Sequence, residues 1–214
     1  MEITWYGLSC FRLMERNLAS VVTDPYGAAI GYREPDLTAD IVTVSHSAPG
    51  HSHVEAVREA RHVIRGPGEY EIGGVFVTGL TPDPDRVAAA DRNTVYVLDF
   101  AGLKVAHLGD LAQVPTQTQI EALGVVDIVL VPVGGGTALN ATQAAEVVSL
   151  IEPSIIVPMH YRTEAIALPL DPISKFLKEM GLEAPQPDPV LKITKNGLPS
   201  ESKVVLLEPR FALS

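Results

Sequence analysis

The chain has 214 residues, 46% of them hydrophobic and 20% charged. At roughly 100–200 residues per domain this is one domain or one and a half, with too much apolar material for a disordered chain. The 16 Lys and Arg against 26 Asp and Glu give a net charge of −10. That excludes generic binding to nucleic acid or an anionic membrane, which needs clustered cations. The single cysteine, Cys10, excludes an internal disulfide and zinc sites of the Cys-x-x-Cys kind, and it fits a reducing compartment.

Residues 3–13 and 19–23 read as strands, broken at Glu15-Arg16-Asn17 and at Asp24-Pro25. The run Asp40-Ile41-Val42-Thr43-Val44-Ser45 is nearly continuous in apolar character, as in a strand covered on both faces. It ends at His46, and a loop rich in Gly, Pro and His follows to His53. Val54, Val57 and Arg61 predict a helix over 54–60. Short strands at 63–64, 70–72, 75–78, 94–100 and 103–107 alternate with glycine turns, and 81–93 is a polar connection without a period.

The last third alternates: helix 115–123, strand 126–133, helix 141–151, strand 154–158, helix 171–180. Pro185, Pro187 and Pro189 mark a loop before a terminal hairpin, 190–194 with 203–208, around Asn196-Gly197. Residues 39–44 echo 126–131, by duplication or because buried strands look alike. A hairpin-rich first half and a βα-rich second half predict two sheets with helices outside, a four-layer αββα sandwich of the α/β class. Met1-Glu2-Ile3-Thr4-Trp5 lacks a signal peptide's basic start, and no apolar run reaches about 18 residues, so the expected location is the cytoplasm.

The chemistry gathers at strand ends, where a sheet fixes the backbone and the loop opens to water. His46 closes a buried strand, His51 and His53 lie in the next loop, Asp110 follows His107-Leu108-Gly109, and His160 follows Ile155-Ile156-Val157-Pro158-Met159. Imidazole and carboxylate together suit Zn, Mn or Fe, and three protein ligands plus water make a catalytic type of site. His62 reads as a surface or core histidine and His107 as structural. Asp24 either orients a ligand histidine or starts an Asp-Pro turn. Glu69 and Glu71 read as a solvated face, and Cys10 as core. Gly66-Pro67-Gly68 and Gly134-Gly135-Gly136 read as tight turns, since no P-loop Lys accompanies them.

Thr43-Val44-Ser45-His46-Ser47-Ala48-Pro49-Gly50-His51 resembles the signature loop of the metallo-β-lactamase superfamily, His-x-His-x-Asp-His after a buried strand. Gly109-Asp110 resembles its bridging aspartate and Val157-Pro158-Met159-His160-Tyr161 its last metal histidine. Trp5-Tyr6-Gly7, Ser9-Cys10-Phe11 and Thr23-Asp24-Pro25 resemble the opening of the small hydrolase branch that includes ascorbate-6-phosphate lactonase-like proteins. The resemblance runs through nearly the whole chain and implies one metallo-β-lactamase-like domain over 1–214.

The departures are equally specific. Ala48 stands where the second loop histidine belongs and Gly50 where the loop aspartate belongs. Thr81-Pro82-Asp83-Pro84-Asp85 holds no third-motif histidine, and Leu8 replaces a frequent histidine. Of the first metal position only His46 remains. Of the second, His51, Asp110 and His160 remain. The resemblance therefore implies at most one divalent ion, Zn or Mn, on His51, Asp110 and His160. His46 is then a proton acceptor or weak fourth ligand, and His46 and Asp110 are the expected catalytic residues. His53, Asp83 and Asp85 are candidates for recruitment.

The expected function is hydrolysis of an ester, lactone or phosphoester in a small-molecule substrate. The alternative is a metal-free pseudoenzyme that binds a small ligand or serves in an assembly. By resemblance, a homo-oligomer without nucleic-acid or membrane partners is expected.

Overall fold

Two sheets lie face to face in the computed structural model, which describes residues 1–82 and 92–210. The first is built from β1 (Glu2–Trp5), β2 (Phe11–Met14), β3 (Val21–Thr23), β5 (Ile41–Val44), β7 (His62–Arg65) and, late in the chain, β14 (Leu191–Lys192). Its order is β14-β1-β2-β3-β5-β7. The second contains β8 (Gly68–Ile72), β9 (Val75–Leu80), β10 (Val95–Phe100), β11 (Leu103–His107), β12 (Ile128–Pro132), β13 (Ile155–Met159) and β15 (Lys203–Val204). Its order is β15-β13-β12-β11-β10-β9-β8. A small ladder joins β4 (Leu37–Thr38) to β6 (Val57–Arg58). Among the described residues the helices are α1 (Gln117–Leu123), α2 (Ala141–Ile151) and α3 (Ile173–Glu179).

The continuous apolar runs are strands buried on both faces, as the sequence predicts. In β3 and β5, Val21 and Ile41 point into the core between the sheets. Val22, Val42 and Val44 point the other way, into a second cluster with Cys10, Tyr26, Tyr32 and Leu37. All residues of β12 and β13 are buried too, and α2 packs on β12 while burying Ala141, Ala144, Val147 and Val148. Reciprocal capping boxes start α1 at Thr116 with Gln119 and α2 at Asn140 with Gln143, satisfying N–H groups the first turn would leave orphaned.

The α/β sandwich class holds, and three local expectations change. The predicted helix over 54–60 is one 3₁₀ turn, Val54–Ala56, followed by β6. Val57 gains burial by pairing beside Leu37, and Glu59 takes the left-handed φ of 65°, which ends any helix there. The terminal hairpin does not form. β14 adds antiparallel to β1 and β15 adds parallel to β13, so the tail crosses from one sheet to the other. Each segment fills an open strand edge with unpaired N–H and C=O groups. Lys195 pins the crossing, its Nζ 2.7 and 2.8 Å from the two carboxylate oxygens of the buried Asp127. Lastly, the outer face of the first sheet is covered by Tyr26, Ile30, Tyr32 and the β4–β6 ladder rather than by a long helix among the described residues.

This topology decides where the chemistry lies. β3 and β5 run parallel, as do β11, β12 and β13. The residues just past their C-terminal ends, Asp24, His46, Asp110, Gly134 and His160, reach one rim of the sandwich. Among the described residues no helix is long and apolar enough to cross a membrane.

Tyr96 of β10 ties the sheets together. Its buried hydroxyl donates to the Val44 carbonyl of the opposite sheet at 3.0 Å and accepts from the Gly66 N–H at 3.0 Å. Tyr96→Phe leaves both groups without that partner. Urea unfolding should show a loss of about 1–3 kcal/mol, with native secondary structure retained by circular dichroism.

Candidate metal centre

Asp24 is wholly buried one residue past β3, with φ of 40°. Its Oδ1 accepts the Ser45 N–H at 2.7 Å and its Oδ2 accepts the Ser45 hydroxyl at 2.5 Å. The same Oδ2 is 2.9 Å from His51 Nδ1. A carboxylate only accepts, so His51 carries its proton on Nδ1 and turns a bare Nε2 the other way. Ser45 extends the control to His46. Its hydrogen is committed to Asp24, so its oxygen accepts from His46 Nδ1 at 3.0 Å. Both imidazoles therefore leave Nε2 free. Burial pushes the Asp24 carboxyl up, but the His107 and His51 imidazoles and the Ser45 hydroxyl outweigh it and hold it below its ordinary range. Burial pulls His51 down, but Asp110 and Asp24, one on each ring nitrogen, raise it overall.

Asp110 is clamped from two sides. Asn93 accepts the Asp110 N–H at 2.8 Å and donates to the Leu108 carbonyl at 2.9 Å. The turn before it closes on these groups. A Cβ at Gly109, where φ is 57°, would stand 2.2 Å from Asn93 Oδ1 and 2.6 Å from Ser45 Cβ. Thr137 donates to Asp110 Oδ2 at 2.8 Å. The other oxygen, Oδ1, is buried with no hydrogen bond among the described residues, facing His160 Nε2 at 3.2 Å and His51 Nε2 at 3.4 Å. Burial raises the Asp110 carboxyl, and the three histidines with Thr137 hold it below its usual value. His160 has the left-handed φ of 52°, and its N–H donates to the Leu8 carbonyl at 3.0 Å.

The ligand atoms of His51, Asp110 and His160 lie within 4.8 Å of one another. A second group, Asp24, His46 and His51, meets the same distance, though Asp24 already accepts from Ser45 and His51. His46 stands on the open side, its side chain 14% exposed and Nε2 3.7 Å from Asp110 Oδ2. Burial and the neighbouring His51 lower its pKa. His53 is not brought in: it faces Glu34 at 3.2 Å and Glu55 at 3.6 Å on the surface. Asp83 and Asp85 lie outside the described residues. His62, Glu69 and Glu71 are exposed, and Cys10 is fully buried. His107 is buried, its Nε2 donating to the Ser9 carbonyl at 2.9 Å and its Nδ1 accepting from Gly109 at 3.3 Å, a tie between the β2 approach and the Asp110 turn.

Position 50 shows where the departure from the signature leads. A Cβ on Gly50 would meet Leu8 Cδ2 at 2.8 Å and Ile30 Cγ2 at 3.4 Å. Leu8 thus fills the space beside Gly50, the two positions at which the resembled signature has histidine and aspartate. Ser45, Asn93 and Thr137 were not found from sequence. Ser45 could have been, since it adjoins His46 at a strand end. Nothing local marks Asn93 or Thr137, which reach Asp110 from 17 and 27 residues away.

The cluster opens into a cleft of about 1080 Å³ whose walls include Ile30, Leu111, Val114, Leu168 and Leu170.

A family model described as the beta-lactamase superfamily domain matches residues 2–160. A UPF0173 metal-dependent hydrolase of Thermococcus onnurineus is 36% identical over 198 residues, covering 76% of this chain and 85% of that one. A UPF0173 protein of Pyrococcus furiosus is 29% identical over 205 residues, covering 84% and 90%. A solved Thermotoga maritima protein, a candidate Zn-dependent hydrolase of the metallo-beta-lactamase superfamily, superposes with a TM-score of 0.78. It is 34% identical, with 96% and 97% of the two chains covered. Igni18 of Ignicoccus hospitalis shares the fold, with a TM-score of 0.68 at 18% identity over 90% of this chain and 99% of that one.

Gly134 sets the approach of the His160 backbone, because a Cβ there would fall 2.2 Å from the His160 carbonyl oxygen. Gly134→Ala should cost about 1–3 kcal/mol through that overlap. Urea unfolding would check it, and an unchanged midpoint would contradict the geometry.

Proposed function

The chain belongs to the beta-lactamase superfamily domain family, and from that membership we propose that it is a hydrolase of small molecules dependent on one divalent ion. The observation that carries this reading is the Asp110 carboxylate oxygen, buried without a hydrogen bond among the described residues and faced by two imidazole Nε2 atoms. A buried acceptor so placed is costly unless a cation or proton joins the three. Two imidazole nitrogens and one carboxylate oxygen, with a coordination position left open toward a cleft, fit zinc in a catalytic type of site. Manganese, which favours oxygen donors, fits less well. His51, Asp110 and His160 are the residues that would hold the ion, with Asp24 fixing the ring of His51.

When bound, the ion would polarise a carbonyl or phosphoryl oxygen and lower the pKa of water at the open position. The chain's own residues supply the rest. His46 presents an unprotonated Nε2 on the cleft side, where it can take a proton from the attacking water. The water oxygen bonds to the acyl carbon, the bond to the leaving oxygen breaks, and His46 returns the proton to that oxygen. One ester and one water become one acid and one alcohol. Ser45 holds His46 in the tautomer this needs.

The test is metal content on protein purified without added metal, then after loading with Zn²⁺ or Mn²⁺ and desalting. About one equivalent is expected, lost in His51→Ala and in His160→Ala, with zinc retained better than manganese. Asp24→Asn should weaken retention about 10–100-fold by releasing the His51 ring. Retention of no metal would overturn the hydrolase and leave the metal-free ligand-binding protein. Two equivalents would overturn the one-ion reading.

A further inference from the structure

Beside the cleft lies a second cavity of about 110 Å³, between α1, α2 and the second sheet. Thr81, Pro82, Leu111, Pro115 and Gln119 line both, so the two spaces share a wall. Beyond that wall the second cavity is almost wholly hydrocarbon: Leu80, Val95, Leu108, Leu123, Val147 and Ile151. The ion-binding chemistry does not account for such a space. Leu111 follows Asp110 directly in the chain and reaches both cavities, which joins the polar cluster to the apolar one over a single residue.

Resting on the hydrolase reading, we infer that the substrate is a carboxylic ester with an unbranched acyl chain, its carbonyl at the His51–Asp110–His160 cluster and its tail passing Leu111 toward the second cavity. A hydrocarbon-lined cavity of only about 110 Å³ rewards a flexible methylene chain, because each buried methylene removes apolar surface from water and no polar group of the chain needs a partner. Gln119 stands at the shared wall with its amide committed. It closes the α1 capping box and donates to the Pro82 carbonyl, so it offers little to a polar substituent there.

The experiment uses zinc-loaded protein and p-nitrophenyl acetate, butyrate, hexanoate and octanoate. A parallel assay measures displacement of the neutral fluorophore phenylnaphthylamine by n-alkanols of increasing length, which needs no turnover. Rising chain length should raise kcat/KM by about fourfold per methylene until the cavity fills, and alkanol displacement should follow the same order. Ala122 of α1 lines the second cavity from an exposed position, and Ile151 closes it from α2. Ala122→Phe and Ile151→Phe, one from each helix, should flatten both series, with bound zinc and the circular dichroism spectrum as in the unsubstituted protein.

Turnover with a flat series in both assays overturns the acyl-chain assignment and leaves the hydrolase standing. Faster turnover of p-nitrophenyl phosphate than of any ester also overturns it. Graded alkanol displacement without turnover of any carboxylic ester overturns the ester assignment, and the hydrolase reading then stands or falls on the metal-content test.

Discussion

The site depends on one buried carboxylate. Asp24 accepts the Ser45 amide, the Ser45 hydroxyl and the His51 ring, and through Ser45 it also sets His46. An acceptor-only group at the centre forces each neighbour to donate, so two histidines are left with the opposite nitrogen bare and facing the cleft. The cost is a charge with no water around it. It is offset by three hydrogen bonds and by imidazoles close enough to hold the acid ionised. Asp110, by contrast, has one oxygen satisfied by Thr137 and one left open toward the histidines. That asymmetry between two buried aspartates separates the group that orients its neighbours from the group whose open oxygen faces two imidazoles.

Among the described residues seven non-glycine positions take left-handed φ, and three of them belong to this site. Leu8, Asp24 and His160 all adopt left-handed φ, at 48°, 40° and 52°, although none is glycine. Such conformations cost about 1–3 kcal/mol each and persist where the surroundings determine them. Here the surroundings are visible: His160 is tied to the Leu8 carbonyl, the Asp24 N–H to the Thr43 carbonyl, and Gly134 leaves room for the His160 carbonyl. The β3–β5 and β12–β13 ladders supply the rigidity on which these strained turns rest.

Two of the positions that depart from the signature the sequence resembles, 8 and 50, lie against each other in the fold. Gly50 and Leu8 are fitted to each other, one lacking the Cβ that the other's methyl group would exclude. The apolar surface this creates adjoins Ile30, which also lines the cleft. Leu8 and Ile30 make the surroundings of Gly50 hydrocarbon, while the polar atoms of His51, Asp110 and His160 lie within 4.8 Å of one another.

Much of this was legible in the chain. The doubly buried strands were readable because an apolar run without alternation has no solvent face to offer. His46 and His160 were readable because each closes such a run, and Asp110 because it lies in the turn after β11. The terminal segments were misread as a hairpin because pairing between two short strands depends on which other edges are free, and the open edges of β1 and β13 are invisible locally. The helix expected over 54–60 failed for a similar reason, since burial of Val57 against Leu37 outweighed a weak helical period. By itself the sequence determined the sandwich and pointed to the histidines and aspartates that the fold gathers at one rim, because strand burial and residue type are local properties. Only the tertiary structure decided that Ser45, Asn93 and Thr137 orient them and that His53 stays outside. It also decided that an apolar cavity adjoins Leu111, because hydrogen bonds and walls between distant segments exist only once the two sheets have brought them together.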